Sequence, residues 1–313
     1  MSSHFVEVAL YSDGVNGGFG GLRTNLAVSS AAALGLVASV MLLWFHHPQY
    51  VRGQQLERQT ELARGVQTDL LPAADALFPG IDFAAACVPS QQVGGDFYDV
   101  FAARDGGIAI VVGDVSGKGL PASVVAGLMV GAVRASGWTQ GRSQHQASSF
   151  ALNELLRSRT APERFASMFW GYYEPDSHMF WYINAGHLPP LLVRRTRGGQ
   201  LETHHLKDGG PVLGLLQSAT YAQGGSAVLP GDLLVLFSDG VIEATSTSGE
   251  HFEEDRLLAV IRQNFDRSSV IIREEILESV LGFIGKEMVQ DDLTLVVMRF
   301  IGSPAGQSAD VGV

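Results

Sequence analysis

The 313-residue sequence predicts an α+β fold in which antiparallel sheets are covered by helices. Three observations predict it. Short apolar runs recur from Ile81 onward, punctuated by Gly, Asp, Asn and Pro. Several arrive as hairpin pairs, as across Glu174-Pro175-Asp176-Ser177, instead of alternating strictly with helices. Helical stretches lie between the groups of strands, as they do when helices cover an antiparallel sheet and not a doubly wound parallel one.

Residues 26–45 contain no charged side chain, and only Ser29, Ser30 and Ser39 interrupt their apolar character. About 20 residues of helix match the hydrocarbon thickness of a bilayer. Trp44 and Phe45 close the stretch where an interfacial belt would lie. A transmembrane anchor is the preferred reading over a signal peptide, which has a shorter apolar stretch and a small-x-small cleavage site, and over a buried soluble helix. Glu7, Asp13 and Arg23 precede the stretch, whereas Arg52, Arg58 and Arg64 follow it. That basic excess predicts a single-pass protein of the cell inner membrane whose C-terminal part is cytoplasmic. About 25 residues precede the anchor, too few for a sensor domain.

Next, Leu56, Gln59, Ala63, Val66 and Leu70 recur at alternating spacings of three and four, forming one helical stripe within residues 54–71. The stripe suits a short coiled-coil seam joining two chains, or a helix packed on its own domain, and two heptads do not separate these. Pro72 closes the helix. Strands are expected at 81–88, 97–101, 108–112, 169–173, 179–183, 191–194, 233–237 and 293–300. Helices are expected at 122–136 behind Pro121, which suits a first helical turn, and at 146–158, 254–264 and 269–287. The layout is a short N-terminal segment (1–25), a transmembrane helix (26–45), a helical linker (46–71), one large domain (72–301) and a loose tail (302–313).

A formal net charge of −11 with no dense Lys/Arg cluster excludes nucleic acid as a partner. Arg194, Arg195 and Arg197 form the densest basic group and read as a solvated hairpin end beside Gly198-Gly199. The single cysteine, Cys87, has no internal partner and lies in an apolar run, which suits a buried, inert thiol.

Acidic residues share one local setting, the junction of a strand and a turn. Asp96 follows Gly94-Gly95, Asp114 follows the run 108–112, Asp239 follows 233–237, and Asp291 with Asp292 opens the last strand. Singly, each reads as a turn former. Together they point to chemistry, because carboxylates converging at one sheet edge repel one another unless cations neutralise them. Oxygen ligands without a His or Cys cluster suit Mg²⁺ or Mn²⁺. Two such ions about 4 Å apart activate a water and clamp a phosphoryl group. The 113–119 stretch is not a P-loop, since Gly113 stands one position too close to Gly117-Lys118 and Gly119 replaces Ser or Thr. No Gly-x-Ser-x-Gly elbow occurs, which argues against a serine hydrolase.

Six motifs occur in order: Val93-Gly94-Gly95-Asp96-Phe97-Tyr98-Asp99, Gly113-Asp114-Val115-Ser116-Gly117-Lys118-Gly119, Asn184-Ala185-Gly186-His187-Leu188-Pro189-Pro190, Pro230-Gly231-Asp232, Ser238-Asp239-Gly240-Val241-Ile242-Glu243-Ala244 and Gln290-Asp291-Asp292-Leu293-Thr294. Leu70-Leu71-Pro72 precedes them. The series resembles the SpoIIE/RsbU branch of the bacterial PPM phosphatases over most of the chain. The resemblance implies a central antiparallel β-sandwich flanked by helices, with a binuclear Mn²⁺/Mg²⁺ site. By motif, Asp114 would bridge both metals, while the Val115 carbonyl and Asp96 would serve one of them. Asp239 and the Asp291-Asp292 pair would serve the other, with Asp291 the preferred member. It also implies a serine/threonine protein phosphatase acting through water without a phosphoenzyme, on a STAS-type anti-sigma-factor antagonist in a partner-switching circuit. The phosphate-binding Arg of eukaryotic relatives has no evident counterpart near the start of the domain. His187 suits a general acid, although a structural histidine fits its Gly-His-Leu-Pro-Pro loop equally. Lys118 suits either phosphate contact or plain surface. The rival functions are a catalytically silent binding module for the same partner and a metal-dependent hydrolase of small phosphoesters.

Overall fold

The computed structural model describes residues 4–302 except 75, 104, 136–144 and 286–288; side chains of 4–30, 48–49, 52–53, 56 and 145–146 are not described. Several expectations therefore lie outside the described residues. They are the first five side chains of the 26–45 anchor, the flanking charges Glu7, Asp13, Arg23 and Arg52, the seam residue Leu56, and the tail beyond residue 302.

The chain divides into two compact units, Met1–Gln59 and Thr60–Val313. One helix, α1 (His4–Leu70), takes in both the expected anchor and the expected linker. In the first unit Leu34, Val37, Met41, Leu43, Trp44 and Phe45 are all exposed, on every side of the helix. Among the described residues no helix is long and apolar enough to cross a membrane.

In the second unit the elements run β1 (Ile81–Val88), β2 (Phe97–Ala102), β3 (Ile108–Val115), α2 (Leu120–Ala135), α3 (His145–Arg159), β4 (Ala166–Glu174), β5 (Met179–Ala185) and β6 (Leu191–Arg195). Then follow β7 (Leu201–His205), β8 (Gly209–Gly210), β9 (Gly224–Ala227), β10 (Leu233–Phe237), α4 (Asp239–Ile242), α5 (Glu253–Asn264), α6 (Ser269–Ile284) and β11 (Leu293–Phe300). One sheet has the order β1-β11-β10-β6-β7, and the other β2-β3-β4-β5-β8 with β9 also on β5. Every pairing is antiparallel except the short β5–β8 contact.

Alternation along the strands sets the layers. On β11, Val296, Met298 and Phe300 meet Phe169, Tyr173 and Phe180 of the other sheet, while Leu293, Leu295 and Val297 turn to α5 and α6. On the second sheet Val111, Met168, Trp170 and Ile183 face α2 and α3. Both faces of each sheet are thus covered, which explains why the strands read as continuous apolar runs and not as alternating ones. The polar edge strand β7 and the very short β8, β9 and α4 left no such signal.

The last turns of α1 belong to the second unit. Ala63, Val66 and Leu70, three positions of the predicted seam, line an apolar groove of about 350 Å³ with Leu120, Val124 and Gly127. Gln67 lies beside them, and its amide donates to the Gly94 carbonyl at 3.0 Å while accepting from the Gly94 amide at 3.3 Å.

Candidate active site

β3 does not stop at Val112; it runs through Asp114 to Val115 and carries both into the site on rigid backbone. Gly113 permits this, because a Cβ there would lie 2.5 Å from the Phe97 ring. Asp96 stands just before β2, and its loop packs on the end of β3, the Val115 amide donating to the Gly95 carbonyl at 3.3 Å. A Cβ on Gly95 would come within 2.5 Å of the Val115 carbonyl oxygen and 3.2 Å of Asp114 Oδ1. Only glycine lets the backbone sit there.

The other sheet supplies the remaining carboxylates. Asp239 is the first residue of α4, directly after β10, and Asp291 and Asp292 lead into β11. The two neighbours have different surroundings. Asp292 is 7% exposed; its Oδ1 accepts from the Ser90 amide and hydroxyl, and its Oδ2 from the Gly95 amide at 2.9 Å. Asp291 stays half exposed, its Oδ2 3.0 Å from Lys118 Nζ. Asp292 therefore builds the Gly94-Gly95-Asp96 loop, and Asp291, whose Oδ1 accepts from the Asp292 amide at 3.0 Å, is the member of the pair with an exposed carboxylate.

Electrostatics tie the group together. Burial, followed by the charges of Asp239, Asp291 and Asp292, pushes Asp114 up to about 6. Asp96 is buried, and desolvation and then Asp114 raise its pKa well above the usual carboxylate range. Burial, Asp291 and Glu243 raise Asp239, with the Gly240 amide and Lys118 opposing them. A cavity of about 310 Å³ is lined by Asp114, Ser167, His187, Asp239 and Glu243. A second, of about 250 Å³, is lined by Lys118, Gly240, Glu243 and Asp291. Sequence reasoning missed Gln67, Ser167 and, beyond its motif membership, Glu243.

Among the described residues, no three His, Cys, Asp or Glu side chains form a ready-made metal cluster. The donors still fit a hard divalent cation. Asp96 Oδ2 is buried without a hydrogen-bond partner, a costly arrangement for a carboxylate oxygen unless a cation meets it. Burial and then the neighbouring carboxylates raise the pKa of Asp114 and of Asp239, and the acidic side chains offer oxygen alone.

Residues 104–301 match the family described as Stage II sporulation protein E (SpoIIE), nearly two thirds of the chain and a span that includes Asp114, Asp239, Asp291 and Asp292. The chain belongs to the SpoIIE family. It is a serine/threonine phosphatase of the PPM type by that membership, with the mixed α+β fold that the sheets display. It is 30% identical to phosphoserine phosphatase RsbU of Bacillus subtilis over 257 residues, covering 82% of this chain and 74% of RsbU. It is 29% identical to protein IcfG of Synechocystis over 265 residues, 77% of this chain but only 41% of IcfG. Among solved structures, the RsbU and RsbW domains of a Mycobacterium tuberculosis protein superpose with a TM-score of 0.59 at 25% identity, over 75% of this chain and 63% of that one. The SpoIIE-family match begins after Asp96, so the Gly94-Gly95-Asp96 loop joins the site through geometry, by its contacts with Val115 and Asp292.

Proposed function

We propose that this chain removes phosphate from phosphoserine or phosphothreonine of a partner protein with the help of two divalent cations, Mn²⁺ or Mg²⁺. The observation that carries it is the buried, unpartnered Asp96 oxygen at a loop locked against Asp114, in a site where burial and then nearby carboxylates drive Asp114 and Asp239 toward protonation. Asp96, Asp114, the Val115 carbonyl, Asp239 and Asp291 would hold the ions. Bound there, the ions would lower the pKa of a water and offset the charge of the phosphoryl group. The chain's own residues supply the rest. Asp292 fixes the loop that carries Asp96, Gly94 and Gly95 let that loop pack on Asp292 and the Val115 carbonyl, and Glu243 borders both cavities.

The substrate in this reading is a STAS-type anti-sigma-factor antagonist in a partner-switching circuit, supported by the likeness to RsbU and to the structure that joins RsbU and RsbW domains. The location is the inner membrane with the catalytic unit in the cytoplasm, supported by the uncharged 26–45 stretch and its exposed Leu34, Val37, Leu43, Trp44 and Phe45. Pairing of two chains through α1 is part of the same reading.

Purified protein with Mn²⁺, presented with phosphorylated STAS proteins beside an Asp114→Ala control, tests the activity. Phosphate release by the wild type and none by the control is expected; equal release by both, or release in excess chelator, overturns it. Fractionation of cells making the full chain or a chain starting near Gly53 tests the anchor, and equal solubility of the two removes it.

A further inference from the structure

The motif Asn184-Ala185-Gly186-His187 has no part in the reaction as proposed, yet the fold fixes it against the site. Ser167 on β4 pairs with Asp114 on β3. Residues paired across antiparallel strands project to the same face with Cβ atoms about 5 Å apart. Ser167 therefore stands beside the Asp114 carboxylate, and both line the cavity shared with Asp239 and Glu243. Ser167 Oγ lies 2.9 Å from His187 Nδ1.

His187 is held from behind. Its amide donates to Asn184 Oδ1 at 2.8 Å, and the Asn184 side-chain nitrogen donates to the Leu206 carbonyl at 3.3 Å. Gly186 between them takes φ +68°, and a Cβ there would lie 2.5 Å from Val212 Cγ1, so the turn requires glycine. The ring is 7% exposed and its Nε2 has no hydrogen-bond partner among the described residues. Burial pushes its pKa down to about 4, which leaves it neutral.

A neutral imidazole donates at one nitrogen and accepts at the other. The Phe237 backbone favours a proton on the ring, and Nδ1 faces a hydroxyl able to donate. The proton is therefore assigned to Nε2. Ser167 then donates to Nδ1, and its lone pairs turn to the cavity, strengthened as acceptors by the bond they back. Around that spot stand Asp114, Asp239 and Glu243, all acceptors. A phosphoryl oxygen gains nothing from another lone pair. The reactant with protons to offer is water.

We propose that Ser167, oriented by His187, is a positioning residue that accepts a hydrogen bond from the water attacking phosphorus. This rests on the phosphatase reading. Holding one O–H of that water fixes where its free lone pair points, and misplacement of a reacting group costs up to about 100-fold in rate.

The test compares wild type, Ser167→Ala and Ser167→Thr on a phosphoserine peptide, with the Mn²⁺ dissociation constant from calorimetry and the melting temperature for each. Ser167→Ala is expected to lower kcat about 10- to 100-fold while KM, Mn²⁺ affinity and melting temperature stay at wild-type values. Ser167→Thr, which keeps the hydroxyl, is expected to recover most of kcat. An unchanged kcat in Ser167→Ala overturns the proposal. So does a loss matched by weaker Mn²⁺ binding or a lower melting temperature, or a Thr variant as slow as the Ala variant. A wild type inactive on every phosphoprotein sinks the phosphatase reading instead.

Discussion

The Asp292 carboxylate accepts the Gly95 amide at 2.9 Å, joining the start of the last strand to a loop nearly two hundred residues earlier. Asp292→Ala leaves the buried Gly95 amide and the half-buried Ser90 amide without their acceptor, and an unsatisfied buried group costs about 1–3 kcal/mol. Asp291→Ala gives up a half-exposed ion pair with Lys118, at most about 1 kcal/mol, and one part-buried bond from the Asp292 amide at 3.0 Å. Urea denaturation should show Asp292→Ala clearly destabilised and Asp291→Ala near wild type, with Mn²⁺ titration showing weakened binding in Asp291→Ala. A stable Asp292→Ala would reverse the assignment of the pair.

Metal affinity should fall with acidity. The raised pKa of Asp114, about 6, means the free site is protonated below that pH, and a carboxylate binds a cation only after losing its proton. The Mn²⁺ dissociation constant is expected to rise about tenfold per pH unit below 6 and to level off above 7, with proton release on binding. Calorimetry in buffers of different ionisation enthalpy measures both. A flat profile between pH 5 and 7 contradicts the coupling among these carboxylates.

Gly95→Ala should cost both stability and activity, because the added methyl meets the Val115 carbonyl, which is backbone and has nowhere to move. A loss of about 1–3 kcal/mol is expected from overpacking, with a lower affinity for Mn²⁺. Thermal melting in chelator isolates the packing cost, and melting in Mn²⁺ adds the metal cost. The same gain from Mn²⁺ in variant and wild type would show the loop is not part of the metal site.

Helix α1 touches the Asp96 loop through Gln67, which bonds the Gly94 backbone in both directions. Gln67→Ala should raise the Mn²⁺ concentration for half-maximal activity several-fold while leaving the carboxylates intact. Val66→Glu, at a position 62% exposed on the apolar groove, should weaken pairing of chains and shift the same Mn²⁺ requirement. Sedimentation and activity titration read these two effects separately. If neither variant changes metal dependence, the helix is a spacer.

The strands were legible because both faces of each sheet are buried, which writes long apolar runs into 81–88, 233–237 and 293–300. The end of β3 was misjudged since Gly113 looks like a break, and only the Phe97 ring packed against it shows why glycine sits inside the strand. The aspartates stood out by their junction setting. Which of Asp291 and Asp292 was open depended on Ser90 and Gly95, and no local pattern contains that. Ser167 gave no signal at all, because its importance comes from the register that sets it opposite Asp114. Gln67 was hidden in a helical stripe read for its apolar members.

The last strand, β11, lies between β1 and β10, so its sheet stays in two pieces until residues 293–300 have been synthesised. During translation every earlier element can emerge and begin to pack, yet the gap in the middle of that sheet remains and Asp291 with Asp292 has only just appeared. A ribosome that stalls or a message cut short of this point yields a chain with two exposed strand edges and an unfinished site. Such a fragment is expected to be cleared by proteases instead of acting as a poorly controlled hydrolase. Placing β11 at the centre makes catalytic competence wait on residues 293–300.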